Sequence, residues 1–385
     1  MRFAWVTALQ TLLRLLPFPC RTGVVRIGAP GRDSPVLMTC NFRLTVERVR
    51  RALSGLDAYL LVANSRGVNV WCAATGGLFT NYDAISVLKT SGIEDLVDHR
   101  QVILPQLAAT GLEGDVIREK TGWSVIWGPV YARSIPAFLA SGLRKAETMR
   151  VVSFRWPERL EMAVAWAFPI SLLAFAVFPF WQAGALPMAA LVWAASLALF
   201  LGFPLYERVI RSGRQHAGFV FFSFGERGLP VLLWILFLVG LASYSALAAE
   251  FSWSLIFRWG LPSLVVLLIL GIDVTGSTPT YKGGLQEDRQ LRIALDGDLC
   301  QGVGICEEVC PTGVIEVDDD LRAASLAWID GCVQCGACIV QCPLDALYFQ
   351  SPTGDVVTPE TVRRYKLNLL GSRRHSKRTA VARSA

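Results

Sequence analysis

Histidine is nearly absent from this sequence. Its three copies, His99, His216 and His375, form neither an HExxH nor a His-x-His pair, which argues against a zinc hydrolase. Charge is scarce too, at 18% of residues against 53% apolar, and a mean hydropathy of +0.43 over 385 residues is too high for an ordinary soluble enzyme. Several domains and a membrane part are expected. Outside one stretch, cysteine is sparse: of ten, only Cys20, Cys40 and Cys72 precede Cys300, and none follows Cys342. Such clustering excludes a secreted disulfide scaffold and points to metal ligation in a reducing compartment. The net charge of +6 is modest and sits largely in the C-terminal stretch and beside apolar segments. That placement suits membrane lipid as a partner and gives no expectation of nucleic acid.

What is present can be taken in order. Met1 to Pro19 is apolar, is interrupted by Arg2 and Arg14, and lacks a small-residue cleavage site. Residues 1–27 therefore read as a docking segment, with a poor signal peptide as the alternative. In residues 28–157, strand-like runs at Val36 to Thr39, Ala58 to Val62, Val68 to Trp71, Gln101 to Leu104 and Ser124 to Trp127 alternate with helix-like ones. The latter are Tyr82 to Lys89, Gly114 to Lys120 and Ile135 to Gly142. This is the pattern of a Rossmann-like α/β domain with a mostly parallel sheet and a ligand crevice at the strand carboxyl ends.

Residues 158–273 read as an all-α domain of four transmembrane helices, at 162–181, 186–205, 229–249 and 253–272, each near the ~20 residues that a bilayer core requires. Arg258 in the fourth stands close enough to its start to snorkel. Arg144, Lys145, Arg150, Arg155 and Arg159 precede the first span; Arg208, Arg211, Arg214 and Arg227 fill the middle loop; Lys282, Arg289 and Arg292 follow the fourth. The loops around Gln182 to Ala185 and Glu250 to Ser252 carry neither Lys nor Arg, so both termini are expected on the cytoplasmic side of a bacterial inner membrane, in a multi-pass arrangement. Residues 274–290 read as a linker, 291–352 as a small α+β cysteine-rich domain, and 353–385 as a basic tail. Short strands are expected at Leu291 to Ala294, Gly313 to Val317, Ala327 to Asp330 and Ala346 to Phe349.

The cysteine-rich part carries the clearest chemistry. Cys332, Cys335, Cys338 and Cys342-Pro343 give C-x2-C-x2-C-x3-C-P, the spacing of a bacterial-type dicluster ferredoxin in which the fourth thiolate reaches a neighbouring cluster. The upstream copy, Cys300, Cys306 and Cys310-Pro311, has Val303 where the second cysteine would stand. In a two-cluster arrangement Cys310, Cys332, Cys335 and Cys338 hold a [4Fe-4S] cluster. Cys300, Cys306 and Cys342 hold a second, expected to be [3Fe-4S] because valine cannot coordinate iron. A [4Fe-4S] cluster with an outside ligand and an empty degenerate site are the alternatives there. Zinc fits poorly with the proline after each fourth cysteine and with the pseudo-repeat. Two neighbouring clusters serve one-electron transfer, so an electron donor is an expected partner.

A second stretch stands apart: Asn69-Val70-Trp71-Cys72-Ala73-Ala74, followed by Thr75-Gly76-Gly77. By itself a cysteine after an apolar run is usually a buried structural residue, Trp71 core and Asn69 a turn former. The combination says more. Asn41 within Thr39-Cys40-Asn41-Phe42, Leu56-Asp57-Ala58, the Asn-Val-Trp-Cys string, His99 to Gln106, Gly128-Pro129-Val130, Pro136-Ala137-Phe138, the membrane block and Asp273 to Pro279 occur in one order. In these features the first 285 or so residues resemble the corrinoid protein of bacterial mercury methylation, and the cysteine-rich part resembles its dicluster ferredoxin partner, here joined in one chain.

The resemblance implies a corrinoid-dependent methyltransferase with a cobalamin-type cofactor. Cys72 would be the cobalt ligand and catalytic residue, on a cap helix below the cofactor, with Asn69, Val70, Trp71, Ala73 and Asn41 around it. The Asp-x-His-x-x-Gly motif, which gives other corrinoid proteins a histidine ligand, is absent. A free thiol titrates near ~8.5, so its surroundings or the metal must favour the thiolate. The implied partners are a methyl-donor protein or methyl-folate system and an electron donor, with Hg(II) or another methyl acceptor. The sequence leaves this pattern at three places: Thr75-Gly76-Gly77 replaces Gly-Lys-Gly, Val303 replaces a cysteine, and no vicinal cysteine pair follows Cys342. From a different class, the alternative is a membrane-bound ferredoxin-type electron-transfer protein without corrinoid methyl transfer.

Overall fold

The computed structural model describes residues 2–14, 16–177, 185–206, 228–247, 253–271, 291–318, 320–351 and 354–365. The middle-loop arginines, the 274–290 linker, the lysine-free loops at 182–184 and 250–252, and residues 366–385 of the expected tail lie outside them. Two compact units form: Met1–Val6, Pro17–Ser153 and Leu291–Ala385 make one, and Thr7–Leu16 with Phe154–Gln290 the other.

In the first unit, β1 (Gly23–Ile27), β2 (Val36–Cys40), β3 (Ala58–Ala63), β4 (Gln101–Pro105) and β5 (Ser124–Gly128) make a mixed sheet in the order β1-β3-β2-β4-β5. β2 to β5 pair in parallel, and β1 lies antiparallel on β3. Helices between parallel strands cover both sheet faces, which is why β2 and β3 are buried at every position. The helices are α2 (Arg43–Ala52), α3 (Val70–Thr75), α4 (Asn81–Thr90), α5 (Gly114–Thr121), α6 (Ile135–Ala140) and α7 (Glu147–Arg150), while α1 (Arg2–Leu12) is divided between the two units. α2 buries Leu44, Val46 and Val49, and Thr80 with Asp83 forms a capping box that starts α4. Among the parallel strands the order β3-β2-β4-β5 reverses its winding between β2 and β4. Ligands of doubly wound sheets sit at the strand carboxyl ends beside such a point.

Three local expectations change. β1 belongs to the sheet although it falls within the 1–27 docking stretch, and α2 fills a connection that carried no helix assignment. Val68 to Trp71 is not a strand: it is a turn running into α3, because Asn69 caps the helix by accepting from the Cys72 backbone N–H at 2.9 Å. A short apolar run has no period that separates a buried strand from the first turn of a buried helix.

The second unit is helical, with helices Trp156–Val177, Ala185–Leu201, Gly228–Leu247 and Trp253–Gly271. Met162, Ala163, Val192, Phe200, Val266 and Leu270 share one core, and Ser196 Oγ donates to Ala163 O at 2.8 Å. Where four spans were expected, one helix among the described residues, Trp253–Leu270, is long and apolar enough to cross a membrane; Ala185–Leu201 and Val231–Leu247 are shorter apolar helices.

The cysteine-rich region is α+β. β6 (Arg292–Leu295), β9 (Leu347–Gln350) and β10 (Val356–Val357) form an antiparallel sheet, and β7 (Ile315–Asp318) with β8 (Ala323–Leu326) a hairpin. The expected strand at Ala327 to Asp330 is displaced: the hairpin pairs Ile315 with Leu326, so residues 327–330 lie past the end of β7. Helix Pro359–Tyr365 occupies the start of the expected tail, where Arg363 donates to Cys342 O at 2.6 Å.

Candidate functional site

Cys72 is the third residue of α3, at the carboxyl end of the sheet, following the β3 loop. Val70, Trp71, Ala73, Ala74 and Thr75 are buried while Cys72 is exposed, so the helix anchors itself with its neighbours and presents one thiol. Asn69 serves that residue twice: Oδ1 accepts from the Cys72 backbone N–H, and Nδ2 donates to Cys72 Sγ at 3.4 Å. The second contact fixes where the sulfur sits. Of the residues expected around a cofactor, the structure thus exposes Cys72, leaves Asn69 half-buried and places Val70, Trp71 and Ala73 inside.

Asn41, at the end of β2, is 5% exposed and spends its amide within the protein. Its Oδ1 accepts from the backbone N–H of Ser65 and of Gly67, both at 2.9 Å, and Nδ2 donates to Cys20 O at 3.3 Å. Gly67 has φ +74°, and a Cβ there would lie 2.4 Å from Pro19 N, so the loop closes against the chain's 18–20 segment at a position only glycine fills. Asn41 therefore holds the approach to α3 instead of facing outward. Cys40 is fully buried, and burial pushes its thiol up to about 11; the Cys20 thiol is raised for the same reason.

The segment after β4 backs α3, and past Gln106 no motif in the sequence marks it. It begins with a 3-10 turn, Gln106–Ala108. At Gly111 a Cβ would stand 2.6 Å from Ala74 O and 2.9 Å from Phe79 O, so the backbone presses directly on the helix that carries Cys72.

The seven clustered cysteines line two hollows. Cys310, Cys332, Cys335 and Cys338 surround one; Cys300, Cys306 and Cys342, with Val303, surround the other. The pseudo-repeat is visible in the backbone, where helices Ile305–Val309 and Ala337–Gln341 each start after a left-handed glycine, Gly304 (φ +84°) and Gly336 (φ +73°). Backbone N–H groups of Ala324, Val314 and Gln334 donate to Cys300, Cys310 and Cys332 Sγ at 3.3, 3.3 and 3.4 Å. Such bonds stabilise cluster thiolates and tune their potential. Burial pushes the Cys306 thiol up to about 11 and raises Cys335 and Cys338 as well, so ligation must displace their protons. Among the described residues no group of three or more His, Cys, Asp and Glu side chains is gathered to hold a single metal ion.

Residues 9–139 match the family model of the CO dehydrogenase/acetyl-CoA synthase delta subunit. The same region is similar to acetyl-CoA decarbonylase/synthase complex subunit gamma of Methanopyrus kandleri, 38% identical over 134 residues, 34% of this chain and 29% of that protein. The subunit of Archaeoglobus fulgidus is 37% identical over 125 residues, 32% of this chain and 26% of its own length. That of Methanocaldococcus jannaschii is 34% identical over 131 residues, covering 34% and 26%. The chain spans less than a third of the length of these curated relatives. The matched family region contains Asn41 and Asn69 to Ala73 and ends before the helical unit and the cysteine-rich region. The relation is to a component of acetyl-CoA decarbonylase/synthase; the narrower likeness to mercury methylation rests on the sequence motifs.

Proposed function

We propose that this chain is a membrane-held corrinoid methyltransferase whose own iron-sulfur region supplies its electrons. The observation that carries the reading is the exposed thiol of Cys72, lifted by a capped helix to the carboxyl end of a doubly wound sheet. That position suits a large flat ligand. The similarity of residues 9–139 to subunits of CO dehydrogenase/acetyl-CoA synthase and of acetyl-CoA decarbonylase/synthase supports the same class.

In this reading Cys72 would hold cobalt through its sulfur, which Asn69 Nδ2 keeps in place by a hydrogen bond. Val70, Trp71 and Ala73 fix the helix from inside, and Asn41 fixes the loop before it. A bound corrinoid supplies a metal that carries a methyl group from a donor, here a folate-linked one, to Hg(II) or another soft acceptor. Cys310, Cys332, Cys335 and Cys338 hold a [4Fe-4S] cluster, and Cys300, Cys306 and Cys342 a [3Fe-4S] cluster. The helical unit is a four-span membrane domain with both termini cytoplasmic. Leu173, Leu186, Leu236, Val239, Phe257 and Leu261 turn outward on its four helices, as lipid contact demands.

Anaerobically purified protein supplied with cobalamin should show corrinoid bands beside iron-sulfur absorption. In Cys72→Ala the bands should shift, and methyl transfer should fall at least about tenfold, as losses of metal-site contacts do. Iron-sulfur absorption with no corrinoid uptake would leave only an electron-transfer protein. Val303, 58% exposed at the edge of its hollow, gives a separate test. Oxidised wild-type protein should give a [3Fe-4S] paramagnetic signal, and Val303→Cys should abolish it; an unchanged signal in the variant would refute the assignment.

A further inference from the structure

The cysteine-rich region touches the α/β domain through a set of buried polar contacts that the proposed chemistry does not explain. Gln106 is 1% exposed; its Nε2 donates to Cys310 O at 3.2 Å and to Arg150 O at 2.8 Å. Lys145 Nζ donates to Gln106 Oε1 at 3.2 Å and to Glu308 O at 2.8 Å. Gln341, from the other side, donates through Nε2 to Ala109 O at 2.8 Å and to Leu112 O at 2.6 Å, and its Oε1 accepts from Gly114 N at 3.3 Å. Val152 N donates to Pro311 O at 2.9 Å, and Arg150 pairs with Glu307 at 2.8 Å.

Two features make this more than incidental packing. The contacts fall on Cys310 itself, on Glu307, Glu308 and Pro311 around it, and on Gln341 beside Cys342, so they reach one cysteine from each hollow. On the α/β side they fall on residues 145–152 and on residues 106–114, and Gly111 of the latter segment presses on Ala74, two residues beyond Cys72. Buried amides and an ammonium whose groups are matched donor to acceptor fix one geometry, since any slip leaves several desolvated polar groups unpaired.

We propose that Gln106, Lys145 and Gln341 are positioning residues, a latch that holds the cysteine-rich region at a set distance from the Cys72 helix through residues 106–114. The purpose of the latch rests on the function proposed above; its existence does not. The clustered cysteines would hold a one-electron carrier, reduced by an outside low-potential one-electron donor and oxidised by the group that Cys72 would hold, and the latch keeps the residues of the two sites together. With the latch closed, this transfer needs no diffusional encounter.

The test uses full-length protein in detergent, as wild type, Gln106→Leu and Gln341→Leu. Hydrogen exchange at the Val152 amide is the main readout, because neither altered side chain touches it. Exchange there should rise about tenfold or more in both variants, with iron-sulfur absorption at wild-type intensity. Reduction of bound cobalamin by way of the clusters should slow about tenfold or more, while cobalamin content stays unchanged. Wild-type protection of Val152 in both variants would overturn the latch, and faster exchange with undiminished reduction would overturn its role in positioning. A wild-type protein that takes up no cobalamin would sink the corrinoid reading alone, and the exchange result would still decide whether the latch exists.

Discussion

Asn41→Ala is expected to lower the unfolding free energy of the α/β domain by roughly 2–4 kcal/mol, because truncation strands two buried N–H groups that each cost about 1–3 kcal/mol unpaired. Those groups are the backbone N–H of Ser65 and Gly67, and Ser65 is fully buried. Water cannot replace the lost oxygen without opening the junction where the 18–20 segment, the end of β2 and the β3 loop meet. That junction is tied by Phe18 N to Gly67 O at 3.0 Å and Cys20 N to Asn41 O at 2.8 Å. The denaturant midpoint, followed by tryptophan fluorescence, is the direct measurement. A midpoint equal to wild type would mean that the amide is not the clamp described. Because the loop leads straight into α3, the thiol of Cys72 should also become less well placed, seen as weaker corrinoid uptake in protein that is still folded.

Gly111→Ala is expected to act on the same helix from behind. Its new methyl would meet Ala74 O at 2.6 Å, Ala74 Cα at 2.9 Å and Phe79 O at 2.9 Å, all backbone atoms that no rotamer change can move. Either α3 shifts or the segment after β4 does, at a cost of roughly 1–3 kcal/mol typical of overpacking. A shift of α3 should loosen the Asn69 contact to Cys72 Sγ. The expected signs are a lowered denaturant midpoint together with altered corrinoid bands, whereas a substitution elsewhere on the surface should change neither. Normal stability and a normal spectrum would show that the backbone contact at Gly111 yields easily.

Much of the architecture is legible in the residues. The alternation of apolar runs and helical patterns announces a parallel sheet, since strands covered on both faces are apolar throughout, as β2 and β3 are. The missed helix α2 has the pattern of one, with Leu44, Val46 and Val49 inward, but its four arginines make it look like a loop. The apolar run before Cys72 misleads in the opposite way. It is too short to show a period, and the Asn69 cap that decides it is a hydrogen bond, not a composition.

The sequence by itself picked out the seven clustered cysteines, because their repeated spacing is a property of short stretches of chain. It also determined the α/β alternation and the apolar character of the middle unit, both of which are properties of local segments. Only the tertiary structure decided which way each candidate faces. It put Cys72 outside and Asn41 inside, joined Gly111 to the back of α3, and brought Gln341 onto Ala109 from 232 positions away. The reason is physical: periodicity and spacing are written in neighbouring residues, whereas the partner of a buried amide is whatever unpaired backbone group the fold carries to it.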